Sequence, residues 1–176
     1  MAEVKRTVKI VVTGPFNAGK TVFIESVSEI DVVSTERKIT NPLSAVKEET
    51  TVAMDFGRVA LGDLVLHLFG TPGQKRFDFM WEILSKEMQG FILLADSTTP
   101  ETFDEVDRLL KLFQKFEAVP YLVVANKQDL PGALKPERIQ RALKIEQKVL
   151  PCVATDRSSV IMVLQEMLNA VSASKA

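Results

Sequence analysis

Apolar residues in this chain come in short unbroken runs separated by longer amphipathic stretches. VKIVVTG (8–14), GFILLA (90–95) and PYLVVAN (120–126) are continuous rather than alternating. A strand that is apolar at every position buries both faces, which predicts a parallel sheet covered by helices. TVAMDFGRVALGDLVLHLFG (51–70) differs: two apolar stretches flank Leu61, Gly62 and Asp63, and a Gly-Asp turn between such runs predicts a hairpin. Helical spacing predicts helices over 20–28, 77–88, 102–116, 136–144 and 158–173. In the third, Leu109, Leu110, Leu112, Phe113 and Phe116 share one broad face; in the last, Val160, Val163, Leu164, Met167, Leu168 and Val171 recur with the same period. Pro136 falls in a first turn, where a missing N–H costs nothing. Residues 29–50 are polar and weakly periodic, predicting a long loop of the kind that carries function. The alternation predicts a doubly wound α/β domain. Ligands of such sheets lie beyond the carboxyl ends of the strands.

The first buried strand ends in GPFNAGKT, Gly14 to Thr21. This is G-x-x-x-x-G-K-[ST] after a strand and before a helix, the context a phosphate-binding loop requires. Backbone N–H groups of Asn17, Ala18, Gly19 and the helix start converge on anionic oxygens. Lys20 adds a point charge to the outer phosphates and the Thr21 hydroxyl is a Mg²⁺ ligand. Gly14 and Gly19 let the backbone turn and approach closely. The motif by itself does not choose ATP or GTP, kinase or hydrolase. Pro15 lacks an N–H, and Phe16 is bulky for such a loop.

The run YLVVA leads into NKQD, Asn126 to Asp129. A carboxylate at Asp129 accepts from guanine N1–H and the exocyclic amine, donors that adenine does not offer. A polar site left unpaired by the wrong base rejects it by up to ~10⁴-fold. Asn126 would brace the loop and the Lys127 stem would lie over the base. Further on, CVATD places the Ala154 amide within reach of the guanine carbonyl. Standing alone, NKQD is equally readable as a polar turn; downstream of a phosphate loop it favours guanine.

With GPFNAGKT and NKQD both intact, the chain resembles a Ras-superfamily small GTPase over nearly its whole length. The resemblance implies the P-loop GTPase (G-domain) fold, with residues 1–176 forming one G domain. It implies a doubly wound, mostly parallel six-stranded sheet with an antiparallel edge strand and helices on both faces. It further implies Mg²⁺, GTP and GDP as ligands, a cycle between two nucleotide states, and effector and regulator proteins as partners.

The family's D-x-x-G-Q segment reads Gly70-Thr71-Pro72-Gly73-Gln74 here. By resemblance, the Gly73 N–H contacts the γ-phosphate and Gln74 orients the attacking water. Thr51 is the expected threonine that joins Mg²⁺ in the GTP state, with Thr50 as the alternative. Lys20, Thr51 and Gln74 are thus the catalytic set, and Thr21 and Thr51 the metal ligands. The aspartate that opens the family pattern is replaced by Gly70. Another carboxylate is expected to compensate, and Asp55 is the nearest in sequence. The x-x-P-G-Q form resembles the prokaryotic MglA-type Ras-like GTPases, polarity and motility switches that pair with roadblock-domain regulators. No arginine adjoins Thr51; Arg37 and Arg58 are the nearest. Gln74 without an arginine implies slow hydrolysis, on the order of the 10⁻⁴–10⁻³ s⁻¹ of unassisted Ras.

Bulk properties change little in this picture. At 176 residues the chain is long enough for one well-packed domain. A net charge of −1 gives no general attraction to nucleic acid, which is not an expected partner. The lone Cys152 cannot form an internal disulfide, in keeping with a cytoplasmic protein. No apolar run reaches the ~18 residues of a membrane span. Ala2 and the cysteine-free SASKA ending offer no lipidation signal, so membrane association is expected only through a partner or a surface patch. His67 and Cys152 read as packing residues. Phe77, Met80 and Trp81 read equally as core or as a partner-facing surface. Two alternatives remain to the GTPase switch: a nucleotide-binding interaction module without turnover, and a small-metabolite kinase.

Overall fold

The computed structural model describes residues 5–40, 49–72 and 78–175. Its elements, in chain order, are β1 (Arg6–Thr13), α1 (Lys20–Val27), β2 (Val33–Thr40), β3 (Glu49–Leu61), β4 (Leu64–Gly70), α2 (Asp78–Ser85), β5 (Gly90–Asp96), α3 (Phe103–Phe116), β6 (Tyr121–Asn126), α4 (Pro136–Leu143), β7 (Leu150–Pro151) and α5 (Arg157–Ser174). Among the described residues the strands form one sheet in the order β2-β3-β4-β1-β5-β6-β7. β1 pairs parallel with β4 and β5, and β5, β6 and β7 continue in parallel. β3 runs antiparallel to β4.

The six strands from β3 to β7 match the expected mostly parallel sheet with β3 antiparallel at its margin. β2 adds a seventh strand outside it, where a loop was expected, and pairs antiparallel with β3 from Val33↔Phe56 to Thr40↔Glu49. Its sequence, VSTERKIT, places three charged residues in succession. Such composition suits a sheet edge, because charge discourages further strand pairing. It also removes the apolar periodicity that would have revealed a strand.

The unbroken apolar runs are buried on both faces, as their pattern demands. Val8, Ile10 and Val12 of β1 and Ile92 and Leu94 of β5 join a core under α1 and α5. Val11, Phe91, Leu93 and Ala95 point the other way, into a core under α3 and α4 that also holds Trp81 of α2. Phe23, Ile24 and Val27 hold α1 to its face; Val160, Val163, Leu164, Met167 and Val171 do the same for α5. Trp81 is buried, donates its indole N–H to the Pro72 carbonyl at 2.9 Å and lies against Phe113. Truncating such a residue costs about 3–5 kcal/mol. Met80, also open between core and surface, is half-buried. Trp81 is core, whereas Phe79 and Ile83 on the same helix are exposed; Phe77 lies outside the described residues.

α2 stops at Ser85, three residues earlier than predicted. Glu87 adopts a left-handed conformation, φ 62°, and the Gln89 amide turns to the Lys9 carbonyl to start β5. The hairpin turn falls between Leu61 and Leu64, as expected. His67 packs edge-on to Phe56, which also meets its cross-strand partner Phe69. Cys152 lies just past the two-residue β7 and is buried. Burial pushes its thiol up, which suits a packing role.

β1 is central, and the chain departs from it to β4 on one side and β5 on the other. That reversal is where doubly wound sheets bind ligands. The carboxyl ends of β1, β5, β6 and β7 all open on this edge.

Candidate functional site

The loop after β1 is held in shape by its own chain. Gly14 has φ 154°, and a Cβ there would stand 2.5 Å from the Leu94 carbonyl oxygen. Gly19 has φ 101°, and a Cβ would meet Asn126 Nδ2 at 2.4 Å. Neither position admits a side chain. Asn17 takes the left-handed conformation, φ 66°, which asparagine tolerates better than most residues. The Ala18 amide closes the turn on the Pro15 carbonyl at 3.1 Å. The Lys20 ammonium donates to the Gly14 and Pro15 carbonyls at 2.6 and 2.9 Å. Burial pushes Lys20 down to about 8, against the opposing pull of Glu105 and Asp55. A buried cation held by loop carbonyls inside a nest of amides is poised for an anion.

Asn126, at the end of β6, ties three loops together. Its Nδ2 donates to the Ala18 carbonyl and its Oδ1 accepts from the Ala154 amide, both at 2.9 Å. The bracing role expected of Asn126 is present, and the side chain is buried. The Ala154 amide is therefore already engaged; reaching a base carbonyl would require it to share its hydrogen. Beside this brace, Gly19, Asn126, Lys127, Asp129, Ala154 and Thr155 line a cleft of about 170 Å³, with Val22 and Leu130 as apolar walls. Asp129 is exposed at the cleft, where its carboxylate can take a paired donor edge.

The residue family model for ADP-ribosylation factors matches residues 1–172. The chain belongs to the ADP-ribosylation factor family. Its members are GTP-hydrolysing enzymes of the Ras superfamily. Similar proteins include an uncharacterized protein of Methanocaldococcus jannaschii, 32% identical over 126 residues, covering 72% of this chain and 73% of that one. ADP-ribosylation factor-like protein 3 of Caenorhabditis elegans is 31% identical over 144 residues, 80% of this chain and 72% of that one. The mutual gliding-motility protein MglA of Myxococcus xanthus is 26% identical over 147 residues, 77% and 74%. The fold matches the Arl6 small GTPase of Trypanosoma brucei, solved with the nucleotide analogue GppNp. The TM-score is 0.75 at 19% identity, covering 94% of this chain and 98% of that one.

In this Arf-family chain Lys127 is more than a lid over the cleft. It takes a left-handed conformation, φ 66°, and its ammonium forms a 2.7 Å ion pair with Asp96 Oδ2 at the end of β5. Asp96 also accepts from the Thr98 amide and hydroxyl at 2.9 and 2.6 Å. Burial pushes the Asp96 carboxyl up, but the bonds from Lys127 and Thr98 outweigh it and hold the carboxyl below its ordinary value. Gln128 anchors the same loop by donating to Ser97 Oγ and to the Leu134 carbonyl, each at 2.8 Å. Sequence reasoning missed Asp96, Ser97 and Gln128. The only signal was a polar Asp-Ser pair closing the apolar run of β5.

On the opposite flank the Thr21 hydroxyl donates to Asp55 Oδ2. These hard oxygens fit Mg²⁺, which takes few protein ligands and keeps waters and phosphate oxygens. Among the described residues no cluster of three or more His, Cys, Asp or Glu forms an all-protein cage. Thr51 is not brought to Thr21. It sits in the β2–β3 ladder opposite Lys38, with Thr50 opposite Ile39. Four residues of extended strand separate it from Asp55, about 13 Å. Gly73 and Gln74 lie outside the described residues. Arg37 is in β2 and Arg58 is exposed in β3 opposite His67. No helix among the described residues is long and apolar enough to cross a membrane.

Proposed function

We propose that this chain is a Mg²⁺-dependent guanine-nucleotide switch with slow intrinsic hydrolysis. The observation that carries the reading is the Asn126 brace. One side chain joins the phosphate loop at Ala18 to the base-side loop at Ala154, so phosphate and base sites are built as one unit. Asn17 to Thr21 and Gly73 receive the phosphates by main-chain amides and Lys20. Asp129 and Ala154 read the guanine edge, and Lys127 covers its plane. Thr21 and Thr51 supply hydroxyls to Mg²⁺, whose chemistry is to neutralise charge on the β- and γ-phosphates.

For Thr51 to take part, the β2–β3 ladder must open at Lys38↔Thr51. That rearrangement would distinguish the two nucleotide states. Gln74 positions water. Arg37 and Arg58 are both ladder residues, of β2 and β3, and neither is proposed to serve the γ-phosphate. Phe16, 62% exposed within the loop after β1, narrows the approach of an arginine from a partner.

We propose a role in cytoplasmic signalling or cell polarity in a prokaryote; the likeness to a protein named for gliding motility supports it. Effector and regulator proteins, among them a roadblock-domain regulator, are the proposed partners. Single-turnover phosphate release from GTP-loaded protein tests this reading. A rate on the order of 10⁻⁴–10⁻³ s⁻¹ is expected. A rate near one per second without partner contradicts slow intrinsic hydrolysis, and none over many hours favours the interaction module without turnover.

A further inference from the structure

Gly70 and Asp55 face each other directly across the β3–β4 ladder. Directly opposed residues of an antiparallel pair project from the same face with their Cβ atoms about 4.5–5.5 Å apart. A Cβ at position 70 would stand 3.1 Å from Asp55 Cβ, 3.4 Å from Asp55 Oδ2 and 3.0 Å from Ile24 Cδ1. A carboxylate on residue 70 would therefore enter the volume that the Asp55 side chain occupies. Asp55 in turn reaches the hydroxyl of Thr21, next to the phosphate-loop lysine. A hydroxyl that donates its hydrogen to a carboxylate keeps its lone pairs for a cation.

We infer that Asp55 supplies, from β3, the carboxylate that position 70 lacks on β4, so that the two residues are a reciprocal exchange across one rung of the ladder. Asp55 is a positioning residue: by accepting from the Thr21 hydroxyl it would orient Thr21 Oγ1 as a Mg²⁺ ligand. A side chain at position 70 would be crowded by Asp55 and Ile24, which suits a glycine opposite this aspartate. The inference rests on the proposed Mg²⁺-dependent nucleotide binding and assigns a residue to it.

The test follows release of GDP carrying a fluorescent ribose label as free Mg²⁺ is varied. The proteins are the parent, Asp55→Asn and the exchange variant Asp55→Gly/Gly70→Asp. Loss of a partner around a metal ligand typically weakens metal affinity 10- to 100-fold. Asp55→Asn should shift the half-effective Mg²⁺ concentration upward by that factor. The exchange variant should recover most of the shift. A curve for Asp55→Asn that superimposes on the parent overturns the inference, as does a folded exchange variant that stays with Asp55→Asn. If the exchange variant does not fold, the isosteric Asp55→Asn curve decides alone. Failure of the underlying reading looks different: parent protein that binds no labelled GDP, or releases it at a rate indifferent to Mg²⁺.

Discussion

The base side and the switch side of the cleft are built on different principles. On the base side, Asn126, Asp96 and Ser97 are all buried, and their contacts tie together the loops that follow β1, β5, β6 and β7. Lys127, Gln128 and Ala154 are each held by a named partner. On the switch side, the proposed Mg²⁺ threonine lies in the margin of the sheet, zipped to an outer strand of polar composition. A satisfied buried polar network is costly to open, because each released group loses its partner away from water. An outer ladder whose strand is polar opens at far lower cost. The comparison teaches where a switch can reside: the proposed function assigns recognition of the base to the braced flank and response to the γ-phosphate to the other.

The sharpest way to break the contrast is to remove what both flanks share. Lys20→Ala should weaken GDP and GTP alike by about 100-fold or more, since charge-assisted bonds contribute about 1.5–3 kcal/mol each. Equilibrium titration measures it; discrimination between guanine and adenine should survive in the residual binding.

A smaller effect sharpens the base side alone. Asp96→Asn leaves the Thr98 contacts partly intact but removes the charge that holds Lys127. Nucleotide affinity should fall about 10-fold and unfolding stability by about 1–2 kcal/mol. The sign with pH follows from the depressed carboxyl. Asp96 contributes stability above the ordinary carboxylate pKa, and that contribution is lost as pH falls through its lower folded value. Denaturant titrations across acid pH should therefore converge for parent and variant.

The smallest effect concerns protons at Lys20. Its folded pKa of about 8 lies below the ordinary lysine value, so between the two the unfolded chain binds more protons. Stability without nucleotide should rise with pH across that window. Phosphate restores the charged form, so GDP binding should take up a proton above pH about 8 and weaken as pH rises further. Calorimetry in buffers of different ionisation heat reads the proton directly; Lys20→Ala should abolish it.

The parts legible in the sequence were those written contiguously. GPFNAGKT and NKQD carry their chemistry in neighbouring residues at the ends of apolar runs, and the structure brings Gly14 to Thr21, Asn126 and Ala154 together. The doubly wound sheet was legible because parallel strands are apolar throughout. Three things were not. β2 was hidden because Glu36, Arg37 and Lys38 break any apolar pattern. Asp96 and Gln128 were hidden because their partners Lys127 and Ser97 lie just past the ends of other strands, thirty-one residues away in each case. Asp55 could be named as the nearest carboxylate, but only the hairpin register shows that it stands opposite Gly70.

The central claim is that the cleft between the Lys20 loop and the Asn126–Asp129 loop holds a guanine nucleotide. Calorimetric titration of nucleotide-free protein with GDP and, separately, ADP in Mg²⁺ tests it most directly. The account predicts strong binding of GDP and a preference over ADP that approaches ~10⁴-fold, because Asp129 is left unpaired by adenine. Equal affinity for the two, or no heat with GDP, would contradict it.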